Sequence, residues 1–332
     1  MKKAFTILAL AAGFIFSDAT AQYAPQVPLP GNEGIPESSP SFKEWISGCT
    51  LQRGWLDIAD KSLGKATVGV ESDVYGPPGS NVLSLGDSGV AVLTFNHSIY
   101  NGPGPDFAVF ENVFADPVND TMAFLELAFV EVSSDGVNFF RFPATSLMQD
   151  TVQIDNFTYT DARLYNNLAG KYLSAYGTPF DLEELKGTPG LDVNKVTHVR
   201  IVDVIGTIDP LYATRDKDGR IINAPYPSVF ASGGFDLRGL GVINSNVPAS
   251  VNQLTADLQI RLYPNPATNY LAIETNGKTG LNYQVTDISG KSLLQGSFVK
   301  NTRIAIDGLA PGIYFVQLDN GKERSVSKIR KQ

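Results

Sequence analysis

Two apolar runs near the middle of this 332-residue chain limit what it can fold into. Asp106-Phe107-Ala108-Val109-Phe110-Glu111-Asn112 is the first. After a polar loop comes the second, from Phe124 through Val132, which stops at Ser133-Ser134-Asp135-Gly136, a turn signal. Both runs are rich in β-branched and aromatic residues, which fit a pleated, half-buried surface. They read as two core strands of a β-sandwich. The rest of the chain is punctuated to match: its 31 glycines and 20 prolines suit many short strands joined by tight turns. Long amphipathic helical patterns are missing.

The formal charge of −8 is unevenly spread. Residues 22–257 carry 14 basic and 28 acidic side chains, whereas residues 258–332 carry 10 basic and 5 acidic. The acidic body lacks the clustered Lys and Arg of a nucleic-acid footprint, so no nucleic-acid partner is expected. It suits cation binding and a plainly solvated surface alike. Cys49 is the single cysteine, so no intrachain disulfide forms, and it reads as a small buried apolar residue.

Met1-Lys2-Lys3, an apolar stretch from Ala4 to Phe16, and Ala19-Thr20-Ala21 together read as a signal peptide over 1–21, cleaved after Ala21. No cysteine follows the cleavage site to carry a lipid. No later stretch has the roughly 20 apolar residues of a membrane span, so no transmembrane segment is expected. The exported protein then opens on a Pro-, Gly- and Ser-rich segment over 22–40, expected to be flexible.

The domain expected over 41–245 starts at Phe42 and Trp45. Asn81–Leu85 and Val90–Phe95 read as a hairpin around Gly86-Asp87-Ser88-Gly89. Asp106, Glu111 and Asn112 bracket the first core strand, and oxygens at both ends of a short strand can help ligate Ca²⁺. The same residue types also end strands and form turns. Period-two reading puts Leu125, Leu127, Phe129 and Glu131 on one face, and Val199, Ile201 and Asp203 on another. A carboxylate closing an apolar face must be paired, metal-bound or at the rim. Asp106, Glu111, Asn112, Glu131 and Asp203 are therefore the candidate metal residues, with Ca²⁺ as the cofactor. The aromatics Phe142, Phe157, Tyr159, Tyr165, Tyr172, Tyr176 and Phe180 can stack on sugar rings or cover one end of the core. Asp181 reads as the N-cap of a short helix with Glu184 three residues on. Asp216-Lys217-Asp218-Gly219 reads as a turn, since it lacks the distal ligands of an EF-hand.

The strands Val130-Glu131-Val132-Ser133-Ser134-Asp135-Gly136 and Val196-Thr197-His198-Val199-Arg200-Ile201 resemble those of discoidin-like and galactose-binding-like jelly rolls. More closely, residues 86–244 resemble a group of bacterial cell surface proteins. The matching phrases run from Asp106 to Asn112, from Glu131 to Gly136, and from Ser232 through Gly233-Gly234-Phe235-Asp236 to Leu237. That resemblance implies a jelly-roll-like β-sandwich, exported, in a group some of whose members accompany vitamin B12 uptake.

Beyond a polar linker over 246–257, residues 258–332 read as a small all-β sandwich with turns at Asn276-Gly277, Ser289-Gly290, Pro311-Gly312 and Asn320-Gly321. Tyr263-Pro264-Asn265-Pro266-Ala267, Asp287-Ile288-Ser289-Gly290-Lys291, Leu309-Ala310-Pro311-Gly312-Ile313-Tyr314 and the basic end Lys328-Ile329-Arg330-Lys331 resemble the C-terminal sorting domain of the type IX secretion system. The fold class expected is thus all-β: a jelly-roll-like sandwich followed by a small Ig-like sandwich. The resemblance implies passage through the periplasm, engagement of the type IX machinery by the tail, and release or surface attachment.

Only His97 and His198 are available to a triad, and no nucleophile elbow, P-loop or H-E-x-x-H occurs. The reading is a secreted or surface-displayed, non-catalytic binding protein with a glycan as ligand. Besides a purely adhesive role with no small-molecule ligand, two alternatives stay open. One is a nutrient-scavenging surface protein for corrinoids. The other is a glycan-active hydrolase using paired carboxylates, with Glu111 or Glu131 as its candidates.

Overall fold

The computed structural model describes residues 23–246, 260–276, 280–320 and 324–332. The signal peptide expected at 1–21, and all of the expected linker except Asn246, lie outside the described residues. Contacts divide the chain into two compact units, Met1–Val247 and Pro248–Gln332. Both are all-β. Helical structure among the described residues is confined to short 3₁₀ turns such as Leu182–Leu185, capped by the Asp181 carboxylate, which accepts from the Glu183 N–H at 2.9 Å.

Seven strands carry the first unit: β1 (Gly48–Gln52), β2 (Val90–Ile99), β3 (Phe107–Glu111), β4 (Ala128–Ser133), β5 (Tyr176–Phe180), β6 (Val196–Asp203) and β7 (Asp236–Val242). One sheet sets β3 between β5 and β7, all antiparallel, with short strands at Ile35–Pro36, Glu44–Trp45 and Leu83–Ser84 completing it. The other runs β4-β6-β2-β1, again antiparallel, with Phe140–Arg141 and Leu168–Ala169 paired to β4. Leu93, Val109, Val130, Val199, Ile201 and Leu240 meet in the core. Burying each such side chain contributes about 1.5–3 kcal/mol. Phe107 stacks on Phe180 with ring centroids 5.5 Å apart.

The two central runs therefore lie in opposite sheets, as the two layers of a sandwich require. The second run divides. Its first residue, Phe124, ends a separate strand, Met122–Phe124, which forms a three-stranded ribbon with Phe114–Ala115 and Thr160–Asp161. β4 then shows no polar alternation, because both of its faces are covered. Ala128, Val130 and Val132 face the main core, and Phe129 packs with Leu125, Leu127 and Tyr165 in a second cluster.

Two expectations are corrected here. Residues 81–95 form no hairpin: Leu83–Ser84 pairs with β7, whereas β2 belongs to the other sheet, so Gly86–Gly89 crosses between layers. The segment expected to be flexible over 22–40 does not trail free in its described part, 23–40. Gln26 is 1% exposed, and its side chain donates to the Lys171 carbonyl (2.9 Å) and accepts from the Leu173 N–H (3.0 Å). Ile35 and Pro36 then pair with Gly177 and Tyr176. Composition suggested disorder because apolar residues are few, but one buried amide and a strand edge suffice to hold the segment.

Among the described residues the second unit has seven strands: β8 (Arg261–Tyr263), β9 (Tyr270–Glu274), β10 (Gly280–Thr286), β11 (Ser292–Val299), β12 (Asn301–Ala305), β13 (Gly312–Asp319) and β14 (Arg324–Lys331). They form sheets β8-β9-β12 and β11-β10-β13-β14 around Leu271, Ile273, Val285, Val316 and Ile329. The basic C-terminal phrase is a strand paired along its length to β13, with alternate residues buried.

Candidate functional site

At one end of the first sandwich the chain gathers carboxylates that sequence scatters widely. Glu111 closes β3, Asp203 closes β6, Asp236 opens β7, and Asp87 sits in the crossing loop. Glu126 lies between the ribbon and β4. Asp203 accepts from the Phe235 N–H (2.8 Å) and the Ser88 N–H (3.1 Å), which ties the loop ends together. The Asp87 carboxylate accepts from the Ile58 N–H at 2.7 Å. Ser84 Oγ donates to Asp236 Oδ1, and Ser228 Oγ donates to Glu126 Oε1 at 3.4 Å. Glu111 is 2% exposed, and its Oε2 has no hydrogen-bond partner.

Crowding shows in the acidity of the group. Burial, then the charges of Glu126 and Asp236, holds Glu111 well above the ordinary carboxylate range. Burial, Asp236 and Asp203 do the same to Glu126. Asp203 is raised by burial and by Asp87. Burial pushes Asp87 up to about 7, against the Ile58 hydrogen bond, and Asp236 up to about 6, against that of Ser84. Among the described residues, none of these five carboxylates has an ion-pair partner. Protonation is the usual response of like charges held together out of water.

Beside them opens a cavity of about 510 Å³. Glu126 and Asp236 contribute to its wall, with Asn112, Tyr159 and Ser228, and Phe114, Phe157 and Phe230 ring it. These phenylalanines are 57%, 73% and 50% exposed. Phe157 and Phe230 meet edge to face, centroids 6.5 Å apart. A chain does not leave three large rings in water without cost, and such a patch around a concave, partly polar wall is a ligand-site feature.

The five residues singled out from sequence are separated by the fold. Glu111 and Asp203 belong to the acidic cluster, and Asn112 lines the cavity. Asp106 lies at the far end of β3. Its carboxylate accepts from the Gly102 and Leu182 N–H groups (2.8 and 2.7 Å) and from Asn244 Nδ2 (2.8 Å), which fixes the Gly/Pro loop. Glu131 sits between two arginines on neighbouring strands, accepting from Arg141 Nε at 2.8 Å and from Arg200 Nε. Among the described residues, no three His, Cys, Asp or Glu side chains converge closely enough to enclose an ion. His198 is engaged by Thr197 Oγ1 (2.8 Å) and His97 lies against Glu44 (3.4 Å); neither lines the cavity. Asp216 turns its own loop, accepting from the Asp218 and Arg220 N–H groups (2.9 and 3.0 Å).

Glu126, Asp87 and Asp236 were not among the sequence candidates. Each had an innocent local reading: a strand position between leucines, a turn, the start of a strand. Only the pairing of β3 with β7, and the neighbouring β6, brings them together.

The fold defines an all-β sandwich followed along the chain by a second, smaller one. Residues 261–332 match the secretion system C-terminal sorting domain. The protein is accordingly exported to the cell surface or secreted by the type IX route, with the tail as the part that engages the machinery. No helix among the described residues is long and apolar enough to cross a membrane. No curated protein matches the chain. Among solved structures, it is similar to a biofilm associated protein BSP domain at 8% identity, covering 76% of this chain and 49% of that one, TM-score 0.20. It is also similar to the b-glucuronidase from Ruminococcus gnavus in complex with N1-substituted uronic isofagomine, at 11% identity, covering 89% and 48%, TM-score 0.23. The chain thus spans about half the length of these structures. Overlaps this slight identify neither a ligand nor an activity.

Proposed function

We propose that the first sandwich is a non-catalytic binding module, carried to the cell surface or medium by its sorting tail, and that its ligand is a glycan. The carrying observation is the cavity ringed by Phe114, Phe157 and Phe230 with Glu126 and Asp236 in its wall. Exposed rings stack on the apolar faces of sugars, and carboxylates accept from sugar hydroxyls. The resemblance of the strands at Val130–Gly136 and Val196–Ile201 to those of discoidin-like and galactose-binding-like jelly rolls favours the same ligand class. The test is titration of the mature protein with a glycan panel and with cobalamin. Binding of a glycan that Phe157→Ala and Phe230→Ala each weaken on the order of tenfold is the expected result. Cobalamin binding alone would favour corrinoid scavenging instead.

A structural Ca²⁺ belongs to the same proposal. An ion at Glu111, Glu126 and Asp236 would relieve their mutual repulsion and use the idle Glu111 Oε2. The acids would have to close on the ion to complete a shell. Melting temperatures equal in EDTA and in Ca²⁺ would sink this part.

A second reading rests on one further observation. Glu126 and Asp236 share a cavity and both hold protons more tightly than usual, the condition for acid–base work by a carboxylate pair. Hydrolysis of a chromogenic glycoside, lost in both Glu126→Gln and Asp236→Asn, would establish it.

A further inference from the structure

A second cavity, of about 540 Å³, lies elsewhere on the first unit, and one buried lysine lines it. Lys171 follows Ala169 and Gly170, at the end of a strand paired to β4. Gly170 has φ +86°, and a Cβ there would meet the Glu126 carbonyl oxygen at 2.0 Å, so the chain must turn at that point without a side chain. The turn carries Lys171 inward, where it is 3% exposed. Its backbone is fully used: the N–H donates to Thr178 Oγ1 (3.3 Å) and the carbonyl accepts from Gln26 Nε2 (2.9 Å).

The side chain is different. Among the described residues no hydrogen-bond acceptor or ion-pair partner contacts Nζ; its neighbours are the ring faces of Tyr172 at 5.5 Å and Tyr23 at 5.9 Å. Ring faces offset only part of the cost of taking an ammonium out of water. Burial lowers the amine to about 8, with Glu33 and Asp161 pulling the other way. Three carboxylates, Glu33, Asp181 and Glu184, line the same cavity and feel one another. Glu33 is exposed, and Glu184 already accepts from Asn167 Nδ2 at 2.6 Å. One buried cation thus shares a small polar cavity with a surplus of anions. A simple anion would be repelled by the carboxylates, and a simple cation by the lysine.

We propose that this cavity is a second ligand site, for a small zwitterion whose carboxylate meets Lys171 Nζ while its ammonium meets Glu33 and Glu184. An α-amino acid has that layout. The site is independent of the phenylalanine-ringed cavity and of the ligand proposed for it.

The test uses the mature full-length protein, with melting followed in glycine and in L-alanine. Acetate and methylamine, each carrying half of the charge pair, serve as controls. Either amino acid should raise the melting temperature of the first unit by about 2 °C or more at saturation, and the controls should not. Lys171→Met should abolish the rise, Glu33→Gln should weaken it, and Phe157→Ala should leave it intact. No rise with either amino acid overturns the proposal, as does a rise that survives Lys171→Met or that acetate reproduces. Should Lys171→Met fail to fold, the exposed Glu33→Gln decides the matter: an undiminished rise overturns the assignment.

Discussion

Gly234 shows how closely single residues are held around the acidic cluster. Its φ is +74°, and a Cβ there would lie 2.8 Å from Asp203 Oδ1 and 2.9 Å from the Gly86 backbone. Gly234→Ala should therefore cost about 1–3 kcal/mol through backbone strain alone, and more if Asp203 is displaced. Denaturant melts of the two proteins measure it; equal midpoints would mean that the loop yields freely. Glu111 makes the opposite case. Its charged form has an orphaned oxygen, buried among other acids. Glu111→Gln removes the charge while keeping the shape, so in EDTA, with no cation beside it, it should raise the melting temperature near neutral pH by a few degrees. A fall under those conditions would show that the carboxylate has a protein partner in solution.

Among the elements, β4, β6 and the short strand Phe140–Arg141 carry an Arg141–Glu131–Arg200 row across the sheet. Arg141 also lies over Phe129 at 3.9 Å, and Arg200 over Phe139 at 4.1 Å. The arginines are 42% and 33% exposed, so solvent weakens the pairs. Glu131→Gln should cost about 1 kcal/mol and leave ligand binding unchanged; lost binding would move the site to this face. Much of this level was legible in the sequence. Period two places Val199, Ile201 and Asp203 inward and His198 and Arg200 outward, and the structure agrees. The tail's strands follow its turn signals. What a single strand cannot reveal is its partner. Glu131 looks like an unpaired acid until two registers set arginines beside it, and Glu126 looks structural until the ribbon turns away from β4. Phe157 was visible as a loop aromatic, but Phe114 and Phe230 became part of the same ring only through folding.

For the molecule as a whole, the raised carboxylates set a pH dependence. Asp87 near 7 and Asp236 near 6 both lie above their ordinary value of 3.8. Between those limits the folded protein holds protons that the unfolded chain has released, so stability falls as pH rises from about 4 to about 7. In EDTA the first unit should melt several degrees higher at pH 5 than at pH 8, and Asp87→Asn should flatten the profile. A profile rising over this range would show that the cluster is not protonated. The two-unit division carries a separate expectation. Removing residues 258–332 should abolish export yet leave the melting of the first unit unchanged, as read by calorimetry of the cytoplasmically expressed protein. Finally, the short strand at Ile35–Pro36 is the outermost strand beyond β5 in its sheet. Proline offers no N–H there, and a strand two residues long gives a neighbour little to copy. Molecules crowded side by side outside the cell would find no template for strand exchange along that border, and would stay separate where a bare edge would seed fibres.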